Sequence, residues 1–154
     1  MRTRIICFGN PILTDDGVGV HIARGLRDKL SAHSTDIDVT ESAVAGLALL
    51  DLMTGWERVV LVDAVQLPDH KPGDVVRLDP NKGPLSLCLC SVHELDVPTV
   101  LRVGPQMGYP MPTEVVMVGV QASDLCTFSD KLSAEVQAAV PRAIESVLAE
   151  AGLS

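Results

Sequence analysis

Near-continuous apolar stretches alternate along this chain with segments in which apolar residues recur at helical spacing. Such stretches, rich in Val, Ile and Leu, are typical of strands buried on both faces of a parallel sheet. We predict strands over residues 4–8, 37–41, 58–65, 74–78 and 114–120. The segment 37–41 alternates apolar and polar residues instead, and the strand at 74–78 is a candidate for a sheet edge.

Helical spacing follows the first strand, where apolar residues recur every four positions from Val18 to Leu30. Thr14 is the expected N-cap of this helix, because a threonine hydroxyl can accept a hydrogen bond from the first turn. Asp15 and Asp16 then fall in the first turn, where negative charge is favourable to the helix dipole. The helix is therefore predicted to begin just after Thr14.

Three further helices complete the pattern. We predict a short helix over 47–53, a helix that ends at Gly104, and a last helix over 134–151. The middle helix begins either at Ser91, which has capping-box spacing to Glu94, or at lower cost with Asp96 as its cap and Pro98 in its first turn. Proline is tolerated in the first turn and is costly further inside a helix. The order β-α-β-α-β-β-α-β-α predicts a single domain (1–154) of the α/β class, a three-layer α/β/α sandwich with a mostly parallel, twisted central sheet of about five strands.

Composition and charge narrow the class of protein. Hydrophobic residues make up 47% of the chain and aromatic residues only 3%, so the core is aliphatic. A net charge of −8 argues against the basic face that nucleic-acid binding requires. No stretch approaches the about 20 apolar residues of a membrane span, and residues 5–8 are too short for a secretory signal. We expect a monomeric cytoplasmic protein with reduced cysteines that binds neither nucleic acid nor membrane.

Three residues occupy positions at which a metal site can form. Asp16 follows the first strand, Asp63 ends the third, and His93 opens a later helix. The carboxyl ends of parallel strands share one rim of the sheet, where α/β proteins bind their ligands. Two carboxylates and an imidazole suit a divalent ion such as nickel or zinc, with coordination positions left open. Each residue also has a plain structural reading, as a dipole partner, a turn former and a solvated histidine respectively.

The remaining reactive residues have no such placement. We interpret the other histidines as surface residues and the cysteines as small core hydrophobes rather than nucleophiles. These residues are His21, His33, His70, Cys7, Cys88, Cys90 and Cys126. No G-x-S-x-G sequence is present, so a serine hydrolase has no support.

Several segments together resemble the hydrogenase maturation protease family. They are the turn Gly9-Asn10-Pro11-Ile12-Leu13-Thr14-Asp15-Asp16-Gly17-Val18-Gly19, then Val60-Leu61-Val62-Asp63-Ala64, His93-Glu94-Leu95 and Val118-Gly119-Val120-Gln121. The resemblance runs nearly end to end. It implies an endopeptidase that removes a C-terminal extension from the precursor of a [NiFe]-hydrogenase large subunit once nickel has been inserted.

The resemblance also implies roles for individual residues. The metal ligands of the family match Asp16, Asp63 and His93, and many members have glutamate at the position of Asp16. Many members also carry an Asp-Gly-Gly or Asp-Gly-Ser turn after the second strand, where this chain reads Glu41-Ser42-Ala43. Glu41 keeps the acid without the glycines and is a weak candidate for a part in cleavage.

Two mechanisms follow from such a site. In the first, nickel bound by the enzyme activates the attacking water. In the second, the nickel belongs to the precursor and the three ligands detect it; the resemblance favours this version, because processing waits for nickel insertion. Two other classes stay open: a non-enzymatic nucleotide- or peptide-binding module of flavodoxin-like shape, and a hydrolase using Cys7 or Cys126.

Overall fold

The computed structural model describes residues 1–30, 36–43, 46–81 and 97–153. Its elements follow the predicted order: β1 (Thr3–Phe8), α1 (Val18–Lys29), β2 (Ile37–Ser42), α2 (Leu49–Met53), β3 (Arg58–Val65), β4 (Val75–Leu78), α3 (Val97–Gln106), β5 (Glu114–Gln121) and α4 (Ala134–Glu150). The predicted strands are each within one or two residues of those observed. No helix in these described ranges is long and apolar enough to cross a membrane.

The strands form one five-stranded sheet in the order β2-β1-β3-β5-β4. Four of them are parallel, and β4 pairs antiparallel with β5 at the edge, as predicted for residues 74–78. Cys7 of β1 lies opposite Glu41 of β2 and Val62 of β3, and Asp63 lies opposite Gly119 of β5. The carboxyl ends of the four parallel strands therefore share one rim.

Helices cover both faces of the sheet. One face packs on α1 and α4, and the other packs on α2 and α3. Side chains of β3 alternate between the two, with Val60, Val62 and Ala64 toward α1 and α4, and Val59, Leu61 and Val65 toward α2 and α3. This double burial explains the continuous apolar run and confirms the three-layer α/β/α sandwich.

The start of α1 differs from the prediction. Residues Thr14–Gly17 form a 3₁₀ turn and α1 begins only at Val18, with no acidic residue in its own first turn. Thr14 is not the N-cap: its φ is 49°, and its hydroxyl donates to the carbonyl of Thr127 at 2.6 Å. The predicted inward face is correct, since Ile22 and Leu26 are fully buried.

Helix α3 begins at Val97, so Pro98 lies in its first turn as predicted. The helix runs to Gln106, past the predicted end at Gly104, and includes Pro105. Pro105 lacks the N–H that would bond to the carbonyl of Leu101, and this loss falls in the last turn, because the helix ends one residue later and Gly108 has a φ of 84°. The candidate caps Ser91 and Asp96, with His93 between them, lie outside the described residues.

Candidate functional site

The turn between β1 and α1 folds tightly back onto the strand, and two glycines make this possible. A Cβ atom on Gly9, whose φ is 151°, would overlap the backbone oxygen of Asp16. A Cβ atom on Gly19 would overlap the backbone oxygen of Phe8. Any larger residue at either position would force the turn away from β1. The glycine spacing seen in the sequence is therefore what brings Asp16 to the rim.

Asp16 lies in the 3₁₀ turn and is 5% exposed. One of its carboxylate oxygens, Oδ2, accepts a hydrogen bond from the backbone N–H of Asn10 at 3.1 Å. The turn thus holds Asp16 at the rim through its own backbone.

Asp63 is completely buried near the end of β3, where strand alternation directs it to the α2 and α3 face. Its Oδ1 accepts the N–H of Ala64 at 2.8 Å, whereas its buried Oδ2 has no hydrogen-bond partner in the part of the chain that the structure describes. Burial, and then the negative charge of Asp16, raise the pKa of Asp63 to about 8, against a smaller lowering by the Ala64 N–H. Asp16 therefore lies close enough to Asp63 for its charge to affect the pKa of that residue.

This arrangement fits a cation. A buried carboxylate beside a second one is unstable when both are ionised, and either a proton or a metal ion relieves the repulsion. The unsatisfied Oδ2 of Asp63 is a free donor atom for such an ion. The predicted third ligand, His93, lies outside the described residues, and within them no group of three or more metal-binding side chains is found. The metal site of Asp16, Asp63 and His93 stays a prediction.

Glu41 lies apart from this pair. It is exposed on β2 and forms an ion pair with Arg27 of α1, with 2.9 Å between Oε2 and Nη1. Its carboxylate is therefore directed to the α1 side of the sheet, the face opposite that of Asp63. Nothing in these contacts supports a part for Glu41 in cleavage, and its role stays a weak prediction.

Asp15, in contrast, was missed by the sequence analysis. It is fully buried and accepts hydrogen bonds from the backbone N–H groups of Ser123, Asp124 and Ser133. It is thus a structural acceptor rather than a dipole partner of α1. The sequence held one signal, the two adjacent acids in one tight turn. Their carboxylates repel each other when they lie together, so one of the two side chains is expected to turn away and accept hydrogen bonds from another segment.

The cysteines divide into two cases. Cys7 is fully buried, as predicted, and burial with the charges of Glu41 and Asp63 raises the pKa of its thiol to about 12 despite a lowering by Arg27. It therefore carries no thiolate at neutral pH and is not a nucleophile. Cys126 is exposed, which contradicts its prediction as a core residue. The loop after β5 is held by a polar contact instead of apolar packing, since the N–H groups of Cys126 and Thr127 donate to Oδ1 of Asp124. Cys88 and Cys90 lie outside the described residues.

The other histidines take no part in the pair of acids. His70 is exposed, as predicted, and its ring contacts the carbonyl of Pro68. His21 is half-buried on α1 rather than fully at the surface, and burial followed by the charge of Arg24 lowers its pKa. His33 lies outside the described residues.

Two solved structures that share this fold are named as a maturating endopeptidase and a maturation protease. The hydrogenase maturating endopeptidase HybD from Escherichia coli superimposes with a TM-score of 0.79 and 28% identity, over 97% of this chain and 91% of that chain. The [NiFe] hydrogenase maturation protease HybD from Thermococcus kodakarensis gives a TM-score of 0.71 and 26% identity, over all of both chains. The chain thus has the α/β fold of these two proteases.

Sequence comparison then gives the family. The hydrogenase 2 maturation protease of Escherichia coli strain K12 is 28% identical over 150 residues, which are 97% of this chain and 90% of that protein. The profile of HycI, hydrogenase maturation protease, matches residues 20–150. The chain belongs to the hydrogenase maturation protease family, as its sequence segments predicted.

Proposed function

We propose that this protease removes the C-terminal extension of a [NiFe]-hydrogenase large-subunit precursor after nickel has been inserted. Nickel carried by the precursor is recognised by Asp16, Asp63 and His93. One observation supports this most directly: Asp63 is fully buried beside Asp16, and its Oδ2 lacks a hydrogen-bond partner among the described residues. An enzyme does not gain stability from such an arrangement, so a cation ligand explains why it exists.

The nickel enters here as part of the substrate, although a resident ion would use the same ligands. A divalent ion at this position would polarise a carbonyl group and lower the pKa of bound water. Residues of the protein determine the protonation and the placement of the two carboxyl groups. Without a cation, Asp63 holds a proton at neutral pH, because its pKa is about 8. Asp16 is held toward the rim by the Asn10 N–H, and both carboxyl side chains are buried.

The reaction is proposed for the cytoplasm, with the enzyme acting as a monomer. Cys126 is an exposed free thiol, which fits a reducing compartment. A single chain already brings Asp16 and Asp63 together at the rim.

Two substitutions test the proposal, Asp63→Asn and His93→Ala. Each should abolish processing of a nickel-loaded precursor, because each removes a ligand, while the folded state is retained. The measurement is incubation with precursors prepared with and without nickel, followed by mass spectrometry of the product. Asp28→Asn, on the exposed face of α1, is the matched control and should cleave like the wild type. Wild-type cleavage by Asp63→Asn would refute the proposal.

The same assay separates the other classes. A non-enzymatic flavodoxin-like module would bind the precursor without shortening it, and buried acids at the rim are unfavourable for the phosphates of a nucleotide. A cysteine-dependent hydrolase would lose activity after thiol alkylation, for which Cys126 is the accessible target. We expect alkylated enzyme to cleave at the wild-type rate.

A further inference from the structure

Within the described ranges, the Asp15 carboxylate accepts four hydrogen bonds, all from residues of the 123–133 segment and none from its neighbour Asp16. Its Oδ2 accepts the N–H groups of Ser123 and Asp124, each at 2.8 Å, and its Oδ1 accepts the N–H of Ser133 at 2.8 Å. The Ser133 hydroxyl donates to Oδ2 at 2.9 Å. Four donors come close to filling the acceptor capacity of one carboxylate.

These donors lie at the ends of two major elements. Ser123 and Asp124 follow β5, and Ser133 precedes the first residue of α4. The hydroxyl of Ser133 bonds to Asp15 instead of capping its own helix. The backbone N–H of Asp15 also donates to the carbonyl of Asp124 at 2.9 Å. Hydrogen bonds of Asp15 therefore connect the turn after β1 to the segment that joins β5 to α4.

The hydrogen bonds of Asp15 also affect the geometry of the pair formed by Asp16 and Asp63. Strand β5 is the direct neighbour of β3, and Gly119 of β5 is opposite Asp63. The segment that binds Asp15 thus continues from the strand that flanks Asp63. The 3₁₀ turn has no side-chain cap, so its placement depends on bonds to other segments. Hydrogen bonds therefore link the end of β5 to Asp15, which directly precedes Asp16 in the chain.

We propose that Asp15 is a positioning residue, whose hydrogen bonds to the 123–133 segment orient the turn so that the carboxylate of Asp16 faces Asp63. The role rests on the proposed function, because cleavage is the process that needs the carboxylates of Asp16 and Asp63 to face each other. Asparagine cannot replace Asp15, since its amide N–H₂ would face backbone N–H donors in place of an acceptor oxygen. Misplacement of a reacting group by about 1 Å can lower a rate a hundredfold.

The test uses the full-length variants Asp15→Asn and Ser133→Ala with two readouts. The first is kcat and KM for a nickel-loaded precursor at a temperature at which circular dichroism shows the variant folded. We expect Asp15→Asn to lower kcat at least tenfold with a smaller change in KM. Ser133→Ala removes only the hydroxyl donor and should have a milder effect, which Ser133→Thr restores.

The second readout does not depend on cleavage. The N–H of Asn10 donates to Oδ2 of Asp16, so its NMR resonance reports where that carboxylate lies. In Asp15→Asn we expect this resonance to move upfield and the amide to exchange with solvent about tenfold faster. Val147→Ala, a buried substitution in α4 remote from the turn, controls for lost stability and should leave both readouts unchanged.

An unchanged Asn10 resonance and an unchanged kcat in Asp15→Asn would overturn the inference, as would an equal loss of kcat in Val147→Ala. If the wild type cleaves no precursor, the proposed function fails, and the Asn10 resonance still decides whether Asp15 orients Asp16. If Asp15→Asn does not fold, the pair Ser133→Ala and Ser133→Thr decides it by the same two readouts.

Discussion

Ionisation of Asp63 is costly for the metal-free protein, because the carboxyl group is fully buried near the negative charge of Asp16. In the unfolded chain the same carboxyl titrates near its ordinary pKa of 3.8, whereas in the fold its pKa is about 8. The folded state therefore binds one proton more than the unfolded state between these values. By linkage, the contribution of Asp63 to stability is fully present below pH 4 and is lost as the pH rises through 8.

Asp63→Asn is expected to remove this dependence. A neutral amide has no charge to bury, so the variant should be more stable than the wild type at pH 8, by about a few kcal/mol in the free energy of unfolding. At pH 4 the two proteins should differ little. Urea unfolding in the presence of a chelator, at pH 4, 6 and 8, measures the effect. Parallel curves of stability against pH would contradict it.

At the scale of elements, close contact between α1 and β1 is what fixes the turn. A Cβ atom on Gly19 would overlap the backbone of Phe8, which cannot move without breaking the sheet. A Cβ atom on Gly25, in the same helix, would instead meet the tip of the Ile144 side chain, which can rotate. The two glycines of α1 are therefore expected to respond differently to the same substitution.

Gly19→Ala should lower the free energy of unfolding by about 3 kcal/mol, because the helix must shift from the strand. Gly25→Ala should stay within about 1 kcal/mol of the wild type, since alanine favours the helix and the side chain of Ile144 yields. Urea unfolding of both variants at one pH makes the comparison. Equal losses would show that the helix does not depend on its contact with Phe8.

The elements themselves were predictable because their signals are local. The continuous run of β3 and the four-residue spacing of α1 each depend on neighbouring residues. The first correctly gave a strand buried on both faces, and the second correctly gave a helix with its buried face. The partners of Asp15 lie more than 100 residues away in the chain, so no local pattern could reveal them. The 3₁₀ turn was missed for the same reason: the bond from Thr14 to Thr127 overrides its ordinary preference for an N-cap.

At the scale of the whole molecule, the acid pair and the only tryptophan lie at opposite ends of the sheet. Trp56 precedes β3, and the guanidinium groups of Arg2 and Arg4 lie over its ring at 4.7 and 4.6 Å from the centroid. Asp63 lies near the far end of the same strand. Trp56 fluorescence therefore reports unfolding of the molecule without direct interference from an ion bound at the acids.

Cation binding should stabilise the whole fold, and Trp56 fluorescence can measure this. An ion that binds only the folded state adds about 2.7 kcal/mol at a concentration of 100 Kd, so Zn²⁺ or Ni²⁺ should raise the melting temperature of the wild type at pH 7.5. The gain should shrink as the pH falls, because the proton on Asp63 competes with the metal ion. Asp63→Asn should lose the gain, and the exposed variant Asp28→Asn should keep it. An equal gain in Asp63→Asn would show that the ion binds elsewhere on this acidic protein, and the acid pair would then have to be explained without a cation.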